Sequence, residues 1–319
     1  MLTFTGSSMK GPWGAAQIGI HKALARNGVI SDFKSYDGEA ESLPAHHRGE
    51  VDIGVNFREQ VMFAYRGVGA YAKEPLPNLR GLATLIQPQY VGIAATRESG
   101  ITSLEQVAAE RRPIRLFTVA RSSQGTRTMG LITSRVLELS GFTQSDIVAW
   151  GGKLIVGQDP GFNAIVAGDV DLIVIPAYSS YTPSWGFCWM EAQVRLNLRF
   201  LGIRQPIRDA LTQELDLRQG MMPAGLFRGL DEEVPTFVAQ HHTVVSHGAL
   251  RDQDAYTVVR AIDEHPECLQ EQQVPFAFHP RAAWEELGVP LHPGAEAYYR
   301  ERGYLTTSLP EGEAERQSV

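Results

Sequence analysis

One local pattern occurs twice in this chain, and it constrains the fold more than any other feature. Leu2-Thr-Phe-Thr-Gly-Ser-Ser-Met-Lys-Gly11 and Leu116-Phe-Thr-Val-Ala-Arg-Ser-Ser-Gln-Gly125 each read as a strand, a Ser-Ser loop that reaches a glycine within three residues, and the start of a helix. Downstream of each comes a second shared piece, Arg48-Gly-Glu-Val-Asp-Ile-Gly-Val55 and Ala167-Gly-Asp-Val-Asp-Leu-Ile-Val174. There a glycine ends a helix in a left-handed turn, an acidic residue and Val-Asp follow, and a buried strand begins. The spacing is 45 residues from Ser7 to Asp52 and 49 from Ser122 to Asp171, so two βαβαβ units follow one another. The class is therefore α/β, with parallel strands and helices on the sheet faces, and the units predict two lobes of like construction.

Between the units, Gly81-Leu-Ala-Thr-Leu-Ile-Gln-Pro-Gln-Tyr-Val-Gly-Ile-Ala-Ala95 reads as two apolar strand pieces split by a proline, which would interrupt a ladder. It predicts a crossing between lobes. Thr236-Phe-Val-Ala-Gln-His-His-Thr-Val-Val245 predicts a second crossing, after which residues 254–265 read as a helix and the chain returns to the first lobe. The boundaries that follow are residues 1–86 with 246–305 for lobe 1, 92–240 for lobe 2, hinge crossings at 87–91 and 241–245, and a flexible polar tail at 306–319. Facing lobes would put the carboxyl ends of both sets of strands on one cleft, where open α/β sheets bind ligands.

Several function classes are excluded early. Among 319 residues, 29 Lys and Arg stand against 36 Asp and Glu, leaving no basic excess for a nucleic-acid backbone. No window has the roughly 18 unbroken apolar residues of a membrane span. Cys188 and Cys268 lie too far apart for a zinc-knuckle pair, and two cysteines make no disulfide framework. Nucleotide-binding glycine loops and the serine-hydrolase and zinc-protease motifs are missing, so no cofactor, no metal and no catalytic role is assigned. His46-His47 and His241-His242 invite a metal reading, but neighbours on a strand face opposite ways.

What remains is anion binding. A helix N-terminus presents unpaired N–H groups and partial positive charge, and serine hydroxyls add donors, so Ser7 and Ser8 with Ser122 and Ser123 would hold an anion from two sides. The plainer alternative is that these serines only cap their helices. Arg58, Arg121 and Arg127 are candidate carboxylate clamps, since guanidinium pairs bidentately with carboxylate. Tyr178, past the strand at 171–175, would line the cleft or pack at the lobe junction. Trp185 to Trp189 reads as an apolar cluster that packs a lobe.

The C-terminal segment Val289-Pro-Leu-His-Pro-Gly-Ala-Glu-Ala-Tyr-Tyr-Arg-Glu-Arg-Gly303 resembles the signature of the TAXI family, solute receptors of tripartite ATP-independent periplasmic (TRAP) transporters. Thr5-Gly-Ser-Ser8, Gly49-Glu-Val-Asp-Ile-Gly54, Ala64-Tyr-Arg-Gly67, Ser99-Gly-Ile-Thr-Ser-Leu104 and Gly125-Thr126 extend the resemblance over nearly the whole chain. It implies a type II periplasmic-binding-protein fold, two α/β lobes joined by a hinge, closing on a small solute, commonly a carboxylate such as glutamate. Carried over by position, the contacts are Gly6, Ser7 and Ser8; Asn56, Phe57, Arg58 and Glu59; Ser122, Ser123, Gln124, Gly125 and Thr126; and Pro176, Ala177 and Tyr178. Two departures concern the pocket: Met9-Lys-Gly-Pro-Trp13 replaces the usual Gly-Gly-Thr-Tyr-Tyr, and Arg58 stands where a small polar residue is expected.

The resemblance implies a non-enzymatic monomer that presents its anionic solute to TRAP permease subunits. The first residues lack the basic start and apolar core of a secretory signal. The expected location is therefore extracytoplasmic if a signal was removed, and cytoplasmic if Met1 is the true start. The latter goes with a second reading, an enzyme or ligand-sensing module on the same scaffold, using Glu59 with His241 or His242 as its acid/base pair. A third is a relative whose cleft has lost its ligand.

Overall fold

Two long strands organise the molecule. In the computed structural model, which describes residues 1–5, 11–36, 38–119, 127–179 and 184–305, the fourth strand runs 18 residues and the last 14, paired antiparallel from Leu79 opposite His247 to Tyr90 opposite Val238. In chain order the elements are β1 (Leu2–Thr5), α1 (Pro12–Arg26), β2 (Ser31–Lys34), α2 (Gly38–His47), β3 (Gly54–Phe57), α3 (Arg58–Arg66), β4 (Leu79–Thr96), α4 (Leu104–Glu110), β5 (Arg115–Thr118), α5 (Arg127–Leu139) and α6 (Gln144–Ala149). Then follow β6 (Lys153–Val156), α7 (Gln158–Ala167), β7 (Leu172–Ala177), α8 (Trp185–Arg195), β8 (Leu198–Phe200), α9 (Gln205–Leu215), β9 (Gln219–Met222), β10 (Val234–His247), α10 (Asp252–Glu264), α11 (Glu267–Gln270) and α12 (Pro293–Glu301).

The sequence echo corresponds to one topology used twice. β1 pairs in parallel with β2, and Phe4 bridges Ile53 just before β3, giving the order β2-β1-β3. β5 pairs in parallel with β6 and with β7, giving β6-β5-β7. The shared Gly-acid-Val-Asp turn has the same job in both. Gly49 and Gly168 take φ of 71° and 67°, the left-handed region that glycine reaches without a Cβ penalty. Asp52 Oδ2 accepts from Thr3 N–H at 2.8 Å, and Asp171 Oδ2 accepts from Arg115 N–H at 2.8 Å. Each aspartate thus ties the third strand of its unit to the first.

β4 and β10 join the units. The large sheet has the order β3-β10-β4-β7-β5-β6, so β10 carries the first unit on one edge while the end of β4, Tyr90 to Ala95, pairs with β7 of the second. The expectation of two pieces broken at Pro88 is corrected: β4 is one strand. Ile86 faces His241 and Gln89 faces Ala239, so Gln87 and Pro88 together oppose Gln240. This bulge leaves an unpaired position for a residue that has no N–H to donate.

Aromatic and small residues fix the packing behind the sheet. Trp189 of α8 stacks on Phe200 and Phe227, each at 5.5 Å, and donates its indole N–H to the Pro176 carbonyl at 2.8 Å. The segment 289–303 braces the first unit: Tyr299 donates to the Leu82 carbonyl at 3.0 Å, Tyr298 donates to Asp263 at 2.6 Å, and Gly294 lies so close to α10 that a Cβ there would be 2.0 Å from the Asp252 carbonyl oxygen. One apolar cluster runs from Val61 and Phe63 of α3 through Val91 and Ile93 of β4 to Met129 and Ile132 of α5, so the two units share packed core. No helix among the described residues is long and apolar enough to cross a membrane.

Candidate functional site

The carboxyl ends of β3 and β7 open onto one cavity. Phe57 and Glu59 line it from the first unit, Pro176 from β7, and Thr128, Met129 and Ile132 from α5. β4 contributes Gln89, Tyr90 and Val91, and β10 contributes Phe237, Val238 and Ala239, so the two connecting strands form its floor next to the bulge. Leu217 completes a wall that is apolar except at a few points.

The turn from β3 into α3 is held by its own side chains. Gln60 Oε1 accepts from the N–H of Phe57, the cap of α3, at 3.1 Å and from the Asn56 side-chain amide at 3.5 Å, which fixes the turn that carries Phe57 and Glu59 to the cavity. The Phe57 ring packs 4.6 Å from His242 and edge-on against Trp13 at 5.4 Å. Burial pushes His242 down to about 3, so it is neutral at pH 7, with Nε2 lying 3.4 Å from the Gln89 amide. The Trp13 indole N–H is buried without a partner among the described residues.

Glu59 is the carboxylate of the wall. It is 5% exposed, and Oε2 has no hydrogen-bond partner among the described residues. Burial raises its pKa, and the nearby Arg58 and Arg218 oppose that shift only in part. Arg58 Nη1 stands 3.8 Å from Glu59 Oε1, beyond hydrogen-bond distance.

The basic side chains nearby face acids of the protein itself. Arg58 and Arg66 each reach Asp216 Oδ2 at 3.3 Å, and Arg218 pairs with Glu286. Arg58 thus lies on a separate groove with Tyr65, Trp284 and Gly288. His241 Nδ1 is 2.7 Å from Glu286 Oε2, whose charge Arg218 already meets. Burial, with Arg218 and Arg58 near, pushes His241 down to about 4.

The other expected residues separate into three groups. Asn56, Ala177 and Tyr178 are buried beside the cavity without lining it; burial pushes the Tyr178 hydroxyl up to about 12, and its hydrogen bond is with Ser184 at the start of α8. Gly6, Ser7, Ser8, Ser122, Ser123, Gln124, Gly125 and Thr126 lie outside the described residues, as do Arg121 and the side chain of Arg127. The Glu59–histidine pair of the enzymatic alternative does not form: His241 meets Glu286 and His242 meets Gln89. His46 and His47 end helix α2 rather than sharing a strand. Among the described residues no three His, Cys, Asp or Glu cluster to hold a metal ion.

One contact had no counterpart in the sequence reading. Glu39, fully buried in the first turn of α2, accepts the Thr128 N–H of α5 at 2.7 Å. A carboxylate of the first unit therefore sits at the helix N-terminus that follows the second Ser-Ser loop. Gln89, Met129 and Phe237 were missed as well, since each reads as strand or helix core.

A family model described as the NMT1-like family matches residues 14–303. The chain belongs to the NMT1-like family. Among solved structures, a protein of Xanthomonas citri bound to chloride ion is similar at a TM-score of 0.52 and 10% identity, with 94% of this chain and 99% of that one covered. A binding-protein component of an ABC phosphonate transporter from Pseudomonas aeruginosa gives 0.49 and 11%, covering 99% and 92%. The glycine betaine and L-proline binding protein of an ABC transporter from Borrelia burgdorferi gives 0.47 and 11%, covering 86% and 96%. The architecture of this NMT1-like chain, paired α/β units around one cleft, is the periplasmic-binding-protein fold.

Proposed function

We propose that this NMT1-like chain is an extracytoplasmic solute-binding protein, a monomer that captures a small organic acid between its two units and presents it to the permease subunits of a TRAP-type transporter. The observation that carries the reading is the cavity itself, whose walls come from the carboxyl ends of strands in both units and whose floor is the pair of strands joining them. The TAXI-like C-terminal segment supports the choice of transporter, and here it works as a brace of the first unit.

In this reading the lobes are residues 1–86 with 246–305 and 92–240, and they turn about 87–91 and 241–245. The bulge at Gln87, Pro88 and Gln240 supports that assignment, because an interrupted ladder bends more easily than a regular one. For the carboxylate, support comes from the start of α1. The first turn of α1 holds no acid, and Trp13, whose indole N–H is buried without a partner among the described residues, packs its ring edge-on against Phe57 of the cavity wall. Closure excludes water and strengthens each bond to the charge. A solute shifts the equilibrium only by binding the closed state better.

Thermal-shift titration with amino acids, aliphatic acids and aromatic acids tests this. An acid at about 100 times its Kd adds roughly 2.7 kcal/mol to stability. A flat response across the panel, with no small molecule found in native mass spectra of the purified protein, refutes the reading.

A further inference from the structure

Resting on that reading, we infer that the solute carries a protonated amine at its inner end and that Glu59 is the residue that selects for it. The wall around Glu59 is apolar, with Met129, Ile132, Leu217 and Phe237 beside it. A carboxylate in such a place loses its hydration without compensation unless a donor is supplied. Among the described residues no donor comes within hydrogen-bond distance of Oε2, although Arg58 Nη1, itself unpartnered there, stands 3.8 Å from Oε1. Arg58 Nη2 reaches Asp216 within hydrogen-bond distance, and Arg218 is taken by Glu286. Oε2 is therefore buried without a hydrogen-bond partner among the described residues, on a side chain that lines the cavity and is only 5% exposed.

The same geometry gives the solute a direction. The acid end points toward the start of α1, whose Trp13 packs edge-on against Phe57 of the cavity wall, and Glu59, two residues past the cap of α3, takes the amine. At the second unit, Glu39 already holds the Thr128 N–H, so that donor does not serve the solute's acid group. A di-acid entering this cleft would bring a second carboxylate against Glu59, a like-charge contact in an apolar wall.

Matched pairs of acids with and without the amine test this on the full chain: γ-aminobutyrate with butyrate, glutamate with glutarate, phenylalanine with phenylpropionate. Each is titrated calorimetrically into wild type and Glu59→Gln. For at least one pair, the expected result is an aminated member that binds wild type at least about tenfold more tightly than its partner, a preference that E59Q loses. A merely structural role for Glu59 would move both members of a pair equally, which overturns the inference. If, in every pair that binds, the unaminated acid binds wild type as tightly as its partner, the inference is overturned and the receptor reading stands. If no member of any pair binds, the organic-acid reading fails and takes this inference with it. The wild-type comparison is decisive whether or not the variant folds.

Discussion

Replacing Glu39 by alanine removes the buried contact that links α2 of one unit to α5 of the other. The lost bond is charge-assisted, 2.7 Å long and at a helix N-terminus, and the Thr128 N–H it leaves behind is buried. A hydrogen bond to a charged group contributes about 1.5–3 kcal/mol, and favourable placement at a helix start adds up to about 1 kcal/mol. The expected loss is thus about 2–3 kcal/mol. With an unfolding entropy of roughly 2.1 cal/mol/K per residue over 319 residues, that lowers Tm by about 3–5 °C. Glu39→Gln keeps an acceptor without the charge and should recover about half of the deficit. Differential scanning calorimetry with urea denaturation reads both variants at one pH and salt concentration. If E39A unfolds within about 0.5 kcal/mol of wild type, the ordinary range of a neutral surface change, the contact does not stabilise the packed arrangement and the reasoning fails.

Other perturbations follow from the same structure. His46 and His242 are buried and pushed down to about 3 by that burial, against 6.5 when exposed. Between these values the unfolded chain binds the extra proton, so stability falls as pH drops through about 6.5 toward 3, by up to about 1.4 kcal/mol per pH unit for each histidine. His242→Gln should flatten that acid limb by nearly one proton, and an unchanged slope of stability against pH would contradict the assignment. Gly294→Ala places a Cβ 2.0 Å from the Asp252 carbonyl oxygen and should cost about 2–3 kcal/mol as α12 is displaced from α10, and urea melts showing wild-type stability would refute the close packing.

What the sequence revealed depended on the range of the interaction. The duplicated units were legible because their turns are local: Gly49 and Gly168 need left-handed backbone, and Asp52 and Asp171 each reach the first strand of their own unit. Pro88 misled because a proline normally ends a ladder, and the two-against-one bulge that accommodates it depends on Gln240, far along the chain. The pairing of Arg58 is not legible locally because Asp216 is 158 residues away, nor is the contact of Glu39, whose partner Thr128 is 89 residues away. The cavity floor at Gln89, Tyr90 and Phe237 has the periodicity of any buried strand, so only the crossing of β4 and β10 marks it as a site.

The central claim is that two similar units close around a small organic acid, and small-angle X-ray scattering of the full chain tests it most directly. Scattering is recorded without solute and at saturating concentration of whichever acid raises Tm most. The account predicts a smaller radius of gyration on saturation, returning to the starting value when the acid is dialysed away. Saturable binding that leaves the scattering curve unchanged would contradict closure between the units.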